Sequence, residues 1–431
     1  MLNQRRRAAL LVCALLAMSM APLPSHASGF AIFEQGAKGM GFAGAFTAQS
    51  DPSSIFHNAA GIGFLKGKHL YFGGTLISPS TDFSGASPFP GAGVTEKGDA
   101  GLIVPPAFDY TQQLSEKLVV GIGLHVPFGL RTQWANRETT FTGRFLSKRA
   151  EVQAISINPT VAYKLADRLA IGFGLDIRLT RVELERNVAV VNPFTLKVVD
   201  AAAVALKSKR AKDFGFNLGF LAKPSENFSI GASYRHKVQV DFEGDATFTL
   251  LPTGNAQLDA AVAQRLPAGS VPLTTDIAFP SLFSVGAAYE WSEWTLAGQV
   301  DFQQWSSFDE LPLTFEGRGD LSSLVEQNYE NSRIYRIGVE RRFGEKWALR
   351  GGYYLDQSPV PAASVSPLLP DSDRHGLAAG LSYHSGNWRV DVANWYLFFK
   401  DRPTEGQNRD NYNGTYEARA ELFAVSLGWS F

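Results

Sequence analysis

Apolar and polar side chains alternate along most of the chain from residue 68 to its end. In the clearest run, at 169–184, one face carries Ile171, Phe173, Leu175, Ile177 and Leu179. A period of two places successive side chains on opposite faces of a β-strand. Fourteen such runs, each bounded by turn residues, are predicted to be strands: 68–78, 101–111, 118–127, 150–164, 169–184, 212–222, 228–242, 275–291, 293–305, 332–343, 347–357, 375–384, 388–399 and 416–431.

The even number of runs and the terminal strand indicate a membrane barrel. The chain ends in ELFAVSLGWSF, which places its large apolar side chains on one face and closes on an aromatic residue. In a transmembrane barrel the apolar face meets lipid and the polar face meets the lumen, so hydropathy averages conceal the strands. Lipid offers no hydrogen-bond partner to an open sheet edge, and the sheet must therefore close. We predict an all-β transmembrane barrel of about 14 antiparallel strands.

Short turns alternate with long connections near 80–100, 185–211, 243–274 and 306–331. Two of the long connections carry apolar residues at helical spacing. The first set comprises Val199, Ala202, Ala203 and Leu206, and the second comprises Leu258, Ala261, Val262 and Leu266. We predict two short helices, which either pack on one another to cap the rim or present an apolar landing surface to a hydrophobic ligand.

Residues 28–66 do not alternate, and they are rich in glycine and other small residues. A ring of about fourteen strands encloses a lumen wider than side chains alone can fill, because about eight strands already give a filled or single-ligand interior. We therefore predict that residues 28–66 fold inside the barrel as an N-terminal hatch, and that residues 67–431 form the barrel. Such a hatch favours selective transport over sieving.

The first 27 residues are predicted to be a cleaved signal peptide. Arg5, Arg6 and Arg7 precede an apolar run at 8–20, and small residues precede Ser28. The apolar run is shorter than the ~20 residues that a membrane-spanning helix needs. The signal contains Cys13, the only cysteine. Removing three arginines from 40 basic and 41 acidic residues leaves a mature net charge of −4, which gives no indication of nucleic-acid binding.

Motifs for enzyme chemistry are weak or misleading in this chain. Gly39, Gly41 and Gly44 match the GxGxxG dinucleotide fingerprint, but the flanking strand and helix that give that motif meaning are missing. The histidines lack paired zinc-ligand spacing. We predict no metal, no cofactor and no enzyme activity. A barrel enzyme acting on lipids, with Ser385 beside His384, a polar-solute porin and a purely structural or adhesive barrel stay as rival interpretations.

Three ordered motifs resemble the FadL/TodX family of outer-membrane transporters for long-chain fatty acids and other hydrophobic compounds. Residues 51–61 are similar to its plug motif, although Ala59 stands where the family has proline. Residues 127–134 resemble its third-strand segment, and residues 358–361 followed by 369–374 resemble its most recognisable signature. The resemblance implies a monomeric fourteen-stranded barrel in the bacterial outer membrane, with an N-terminal hatch.

The resemblance also implies a lateral exit from the lumen and a gate. A kink in the third strand opens the wall in this family, and Pro127, Phe128 and Gly129 match that place, with Asn58 of the plug motif as a further gate residue. Proline withholds a ladder donor and glycine tolerates a bulge. The alternative is that Pro127 and Gly129 simply end the strand at a rim turn.

Ligand contacts are expected at two levels. Loop residues Val199, Leu206, Leu258, Val262 and Leu266 correspond to the extracellular capture groove. Phe30, Ile32 and Phe33 are expected at a tighter site near the hatch N-terminus, or else in ordinary hatch packing.

Basic side chains hold the carboxylate in fatty-acid transporters of the family. Arg186 matches one such position and, by strand parity, is expected to face the lumen, although it could equally be a wall charge paired with an acid. Gln327 occupies the second basic position. The expected function is passive uptake of long-chain fatty acids, with neutral aromatic or aliphatic hydrocarbons as the alternative. The expected partners are therefore a hydrophobic small molecule and outer-membrane lipid, and not nucleic acid.

Overall fold

A closed ring of 14 antiparallel strands forms the body of the protein in a computed structural model that describes residues 29–431. The predicted signal peptide lies outside the described residues. With strands numbered in chain order, the ring comprises β1 (Lys68–Gly85), β3 (Pro106–Gln113), β4 (Leu118–Gln133), β5 (Arg149–Ala166), β6 (Leu169–Val191), β8 (Ala211–Ser225), β9 (Phe228–Arg235), β12 (Leu282–Trp291), β13 (Trp294–Gln303), β16 (Ser332–Phe343), β17 (Trp347–Asp356), β18 (Arg374–Ser385), β19 (Trp388–Phe399) and β21 (Gly414–Ser430).

The remaining strands lie beyond the ring on one side of the barrel. They are β2 (Thr95–Lys97), β7 (Val198–Ser208), β10 (Val238–Leu250), β11 (Gly269–Phe279), β14 (Glu310–Phe315), β15 (Ser323–Glu326) and β20 (Arg402–Pro403). β7 pairs with β6 and β10, β10 with β11, and β11 with β14. The connections at the end of the ring away from the C-terminus thus form one continuous extramembrane sheet.

First and last strands close the ring, because β1 pairs with β21 along its length, from His69 opposite Ser430 to Gly85 opposite Gly414. Each of the fourteen predicted runs contains one ring strand. Two runs were predicted too long, since 228–242 is divided between β9 and β10 and 275–291 between β11 and β12. At these breaks the chain leaves the ring pairing of β8, β9 and β12 and joins the extramembrane sheet. In the run predicted at 101–111, the strand begins only at Pro106.

Large apolar side chains cover the outside of the ring. Phe173, Phe214, Leu377 and Phe423 are exposed, whereas their sequence neighbours on the lumen face are largely buried. Aromatic residues gather at the end of the ring that carries the C-terminus, where the rings of Trp388 and Trp429 stack 5.3 Å apart. An apolar belt bounded by aromatic side chains is typical of a lipid-facing barrel wall. Among residues 29–431, none of the helices has the length and apolar character needed to cross a membrane.

One of the two predicted loop helices is wrong. Residues 198–208 form β7, which lies between β6 and β10. β6 continues past the ring to Val191 and offers an unpaired edge there, and pairing satisfies the backbone groups of both segments. The other prediction is confirmed as α3 (Ala256–Arg265), whose first turn is capped by the Asn255 side chain accepting from Leu258 N at 3.0 Å.

Residues 29–66, here called the N-terminal segment, contact strands from several sides of the ring. The segment contains α1 (Ala37–Gly41), α2 (Ser54–His57) and a 3₁₀ turn at Ala59–Phe64. Ala37 N donates to Ser426 Oγ of β21, and Phe46 N donates to Gln299 Oε1 of β13. Gly231 of β9 allows a close approach, because a Cβ there would lie 2.1 Å from Thr47 O. The segment therefore lies across the lumen.

Candidate functional site

An aromatic pocket surrounds the first large side chain of the N-terminal segment. The Phe30 ring lies 4.8 Å from Trp305, 5.9 Å from both Phe279 and Phe308, and 6.3 Å from Phe128, measured between centroids. All four contacts are edge-to-face, a favourable arrangement for aromatic rings. The partners come from β4, from the end of β11 and from the segment after β13, so the fold assembles this pocket from distant parts of the chain.

The backbone of the same segment binds the edge of β4. Ile32 N donates to Pro127 O at 2.9 Å, and Gly129 N donates to Phe30 O at 3.0 Å. β3 pairs with β4 only as far as Leu124, so the N-terminal segment occupies the place of a ring strand beyond that point. The wall is therefore completed here by a part of the chain that is not a transmembrane strand.

β4 carries a register shift between His125 and Phe128, at the place of the predicted kink. Pro127 has no N–H to donate to the ladder, which suits an irregular position. Gly129 lets the N-terminal segment approach, because a Cβ there would lie 2.6 Å from Ile32 Cδ1. The strand continues to Gln133, so the alternative of a simple strand end at Pro127 does not apply. The gating role of these residues stays a prediction.

A cavity of about 470 Å³ passes through the wall beside this irregularity. Its inner part is lined by Phe30, Ile32 and Glu34 of the N-terminal segment, together with Asp371 and Arg374. Its outer part is lined by Leu102, Val104, Ile155, Arg131 and Arg419. Leu102 and Val104 are 56% and 54% exposed. The cavity thus connects the N-terminal segment with the outer surface of the barrel between β1 and β4.

Two buried carboxyl groups lie at the inner end of this cavity. Asp371 accepts hydrogen bonds from Ser358 Oγ at 2.7 Å and from Gly29 N at 3.3 Å. Burial raises the pKa of Asp371 to about 6, although Arg374 acts in the opposite direction. Burial also raises the pKa of Glu34, against the influence of Arg374. The inner end therefore carries less negative charge in mild acid than at neutral pH.

Arg178 lies behind the aromatic pocket and is fully buried. Its guanidinium carbon lies 5.1 Å from the Phe128 ring centroid and 5.3 Å from that of Phe279. Nη2 donates to Asp176 at 2.6 Å, whereas Nε and Nη1 have no partner among residues 29–431. Asp176 also pairs with Arg235 at 3.4 Å. Within the described chain, Asp176 is the one carboxylate in ion-pair contact with either guanidinium, which leaves one positive charge without a direct counterion.

Strand parity in the sequence predicts that Arg186 faces the lumen and contacts the ligand. The structure does not bring Arg186 into the cavity. Arg186 is exposed and lies opposite Val204 of β7, beyond the residues of β6 that pair with the ring strands. Strand parity gave the face of β6 but not the height above the ring. The sequence signal that could have identified Arg178 is an arginine two residues from an aspartate on the predicted lumen face of the strand.

The other predicted contacts divide into two groups. Ile32 joins Phe30 at the cavity, whereas Phe33 packs beneath the Arg336 guanidinium, 4.8 Å from its ring. The loop residues lie in the extramembrane part, where Leu206 and Val262 are buried and the rest of the group is partly buried, namely Val199, Leu258 and Leu266. The most exposed large apolar side chains there are instead Phe194 and Leu196, at the β6–β7 tip.

Asn58 anchors the N-terminal segment to the wall. Its Nδ2 donates to Thr47 O at 2.7 Å and to Phe220 O of β8 at 2.9 Å, and its Oδ1 accepts from Ala60 N at 3.0 Å. These bonds use both donors of the buried amide and one of the two acceptor sites of its oxygen. Any role of Asn58 in gating therefore requires that these contacts break.

Ion pairs hold the same segment on the opposite side of the ring. Asp51 accepts from Arg389 Nη1 at 2.7 Å and Nη2 at 3.2 Å, and from Lys38 Nζ at 2.8 Å. Burial alone would raise the pKa of Asp51, but Arg389 and Lys38 hold it well below its usual range. On a third side, Arg336 of β16 donates to Ala43 O at 3.0 Å. No group of His, Cys, Asp and Glu suited to a metal ion occurs within residues 29–431.

Known proteins are similar to this chain over nearly its full length. The long-chain fatty acid transport protein of Escherichia coli O6:H1 is 24% identical over 446 residues, which cover 96% of this chain and 98% of that protein. The structure of a Pseudomonas aeruginosa FadL homologue has a TM-score of 0.81 at 18% identity and covers 94% of this chain and 100% of that chain. The toluene transporter TodX of P. putida has a TM-score of 0.72 at 19% identity, covering 93% and 99%. The two structural likenesses show a shared fold.

A sequence profile of the family described as outer membrane protein transport protein (OMPP1/FadL/TodX) matches residues 18–431. The match includes the whole N-terminal segment and every strand of the ring. The family resemblance drawn from the motifs is thereby confirmed. The protein is a β-barrel of the bacterial outer membrane that serves the transport of hydrophobic compounds. The chain belongs to the OMPP1/FadL/TodX family of outer membrane transport proteins.

Proposed function

We propose that the protein takes up long-chain fatty acids by passive diffusion, as a monomer in outer-membrane lipid, with residues 28–66 as its hatch. The observation that carries the proposal is the aromatic pocket around Phe30, which adjoins both a cavity through the wall and the incompletely paired guanidinium of Arg178. The pocket is apolar, the cavity leads to lipid, and the charge suits a carboxylate. The proposal assigns the protein no chemical reaction and no cofactor.

Capture begins, in this proposal, at the extramembrane sheet. Phe194 and Leu196 at the β6–β7 tip are 67% and 81% exposed, which is unusual for large apolar side chains on a hairpin that faces water. A hydrophobic molecule that covers them removes apolar area of the protein and of the molecule itself from water.

The ligand then replaces the Phe30 ring in the aromatic pocket. Burying a chain of about sixteen carbons contributes on the order of 10 kcal/mol at about 0.8 kcal/mol per methylene. Phe30 contributes roughly 2–3 kcal/mol by burial, and each hydrogen bond to β4 contributes about 1 kcal/mol. The ligand is therefore the stronger occupant. Because it binds only the state in which Phe30 has left, it shifts the hatch toward that state.

Release follows sideways through the cavity between β1 and β4. Movement of residues 30–32 away from Pro127 and Gly129 would remove the part of the wall that is not a ring strand. Leaving into water would cost the ligand its burial energy, whereas leaving into lipid would not. The register shift in β4 supports this route, since the edge bound by the hatch exists only because β3 stops pairing at Leu124.

Fatty acid is preferred over neutral hydrocarbon because of Arg178. A buried guanidinium with unpartnered donors costs free energy unless an anion approaches it, and a carboxylate can accept two parallel hydrogen bonds from arginine. Neutral aromatic or aliphatic hydrocarbons are the second candidate. They are favoured by the edge-to-face rings around Phe30, which need no charge to enclose an apolar molecule.

The test is equilibrium binding of oleate and of its methyl ester to detergent-purified protein, for wild type and Arg178→Gln. The matched control is Arg186→Gln, an arginine of the same strand that lies opposite β7 beyond the ring, whereas Arg178 packs on Phe128 and Phe279. We expect Arg178→Gln to weaken oleate binding tenfold or more and to spare the ester, and Arg186→Gln to change neither. Equal binding of both ligands by all three proteins would favour the hydrocarbon. Binding of neither ligand by wild type would refute the proposal.

A further inference from the structure

We propose that the outer mouth of the wall cavity is a separate binding site for the anionic head of an amphiphile, formed by Arg131 and Arg419. The inference rests on the proposed function, since it assigns a second station on the route of release. It concerns residues on the outward face of the wall and is independent of Arg178.

Arg131 lies on the outward side of the wall. Its cross-strand neighbour Glu151 shares strand parity with Val161 and Tyr163, whose side chains are exposed on the lipid-facing surface. Arg131 Nη2 donates to Glu151 Oε1 at 2.9 Å, but Nε is buried and has no hydrogen-bond partner among the described residues. Glu151 is also bound by Arg149 at 2.5 Å. Arg131 therefore retains an unused donor at the cavity.

Arg419 lines the cavity from the other side. It lies on β21 opposite Ser80 of β1, with the strand parity of the exposed residues Phe423 and Val425. No carboxylate in residues 29–431 forms an ion pair with it. Two arginines, one on β4 and one on β21 next to β1, thus line one cavity, and Arg419 lacks an anionic partner within residues 29–431.

The same mouth offers an apolar surface for the rest of the molecule. Leu102 and Val104 are more than half exposed, and Ile155 lies next to them in the cavity lining. Charge on one side and exposed aliphatic side chains on the other form an amphipathic groove that opens toward lipid. A molecule with an anionic head and an alkyl chain matches both parts, whereas a neutral hydrocarbon matches only the apolar part.

Two amphiphiles present that chemistry at this position. One is a fatty acid leaving the lumen, whose carboxylate would pass from the interior to Arg131 and Arg419. The other is an anionic lipid of the surrounding leaflet, whose phosphate would rest there and border the exit. Basic side chains near a membrane surface attract anionic lipid heads by about 1 kcal/mol each.

The test uses the double variant Arg131→Gln/Arg419→Gln, with Arg333→Gln as the control. Arg333 is a half-buried arginine of β16 that does not line the cavity. Each protein is reconstituted in phosphatidylcholine vesicles. The transfer rate of oleate is measured with a fatty-acid indicator entrapped in the vesicles, and that of methyl oleate by extracting the ester from the vesicles. A second arm measures lipopolysaccharide retained by each purified protein, by native mass spectrometry.

A tenfold slower transfer of oleate by the double variant, with methyl oleate transfer and equilibrium oleate binding unchanged, would support a site for the leaving fatty acid. A tenfold loss of retained lipopolysaccharide, with both transfer rates unchanged, would support a site for the leaflet lipid. Unchanged transfer and unchanged retention in a folded double variant would overturn the inference. If wild type transfers neither ligand, the proposed function fails, and the retention arm alone decides the lipid site.

Discussion

Removing the carboxylate of Asp51 should open the barrel, because this group holds the hatch to Arg389 of β19. Asp51 is 2% exposed and accepts five hydrogen bonds, two from Arg389, one from Lys38 and two from Ser53. Asp51→Asn keeps the size of the side chain and removes its charge. It leaves Lys38 without its ion-pair partner and Arg389 with Asp391 alone, at 2.8 Å.

The magnitude follows from the burial of the groups that remain. Removing one member of a buried ion pair costs about 3–5 kcal/mol, since the partner charge stays in a poorly solvated place. Here Arg389 keeps one carboxylate and Lys38 is 18% exposed, so we expect the lower end of the range, about 3 kcal/mol. The loss weakens the docked hatch relative to a displaced one. At about 1.4 kcal/mol per tenfold change, the displaced population rises on the order of 100-fold.

Planar-bilayer recording measures this population directly. A hatch across the lumen leaves the barrel closed to ions, so wild type should give rare openings, and Asp51→Asn should give them about 100-fold more often. The pH dependence has a defined sign. Because the pKa of Asp51 is lowered in the fold, its contribution is present above its unfolded value of about 3.9 and is lost as the pH falls through the lowered pKa. Wild type should therefore open more often in strong acid.

The matched control is Glu226→Gln, which removes a carboxylate that is 86% exposed in a turn between ring strands and pairs with Arg168 at 3.5 Å. This variant should behave as wild type. Heat-modifiable electrophoretic migration verifies that each barrel is folded. If folded Asp51→Asn opens no more often than wild type, the ion pairs do not hold the hatch, and the reasoning from burial is refuted.

Three further variants test other contacts. Phe30→Ala should tighten oleate binding about tenfold, because the competing ring is gone; weaker binding, measured by equilibrium titration, would make Phe30 a direct ligand contact instead. Gly231→Ala should open the pore in bilayer recording, since its Cβ would lie 2.1 Å from Thr47 O, whereas Gly351→Ala, with 3.7 Å to its nearest atom, should not. Asp371→Asn should raise the free energy of unfolding by about 2–3 kcal/mol above pH 6 and leave it unchanged below pH 4. The reason is that burial raises the pKa of Asp371 to about 6, so ionisation of this carboxyl group destabilises the folded protein above that pH. Urea titrations at both pH values measure the effect, and an equal gain at both would contradict it.

The ring strands could be predicted from sequence because each has two different solvents on its two faces. Phe173 and Phe423 meet lipid, while Asp176 and Ser426 on the same strands meet the lumen, so a period of two is imposed residue by residue. Where the chain leaves the membrane, this constraint ends. The runs that were predicted too long, at 228–242 and 275–291, continue to alternate in the extramembrane sheet although their pairing partners change.

The helix predicted at Val199–Leu206 was wrong for the same reason, since outside the membrane the two faces of a strand no longer meet two different solvents. Val199, Ala202, Ala203 and Leu206 fit a helical face, but a segment so uniformly small and apolar also fits a strand. The free edge of β6 beyond the ring decides between them, and that edge depends on where β8 stops pairing. A local pattern contains no information about it.

The site illustrates a further limit. Phe30 was singled out from its place in the chain, but its pocket needs Phe279, Trp305 and Phe308, which are about 250 residues away and have no pattern in common. Arg178 and Arg186 have the same parity on one strand and differ only in height. Parity assigns a face, whereas burial and counterions decide whether an arginine can bind an anion.

Glycines of the ring show why transport must involve motion of the hatch. At Gly231 and Gly338 a Cβ would lie 2.1 and 2.5 Å from backbone oxygens of the N-terminal segment, so wall and hatch touch with no space for a ligand between them. The route therefore exists only in a state where some of these contacts are broken. Contacts among residues 30–32, the aromatic pocket and β4 are the ones that a hydrophobic ligand can replace with stronger contacts of its own. The ion pairs of Asp51 with Arg389 of β19 and with Lys38 are not replaceable by such a ligand, so opening should begin at Phe30 and leave Asp51 docked.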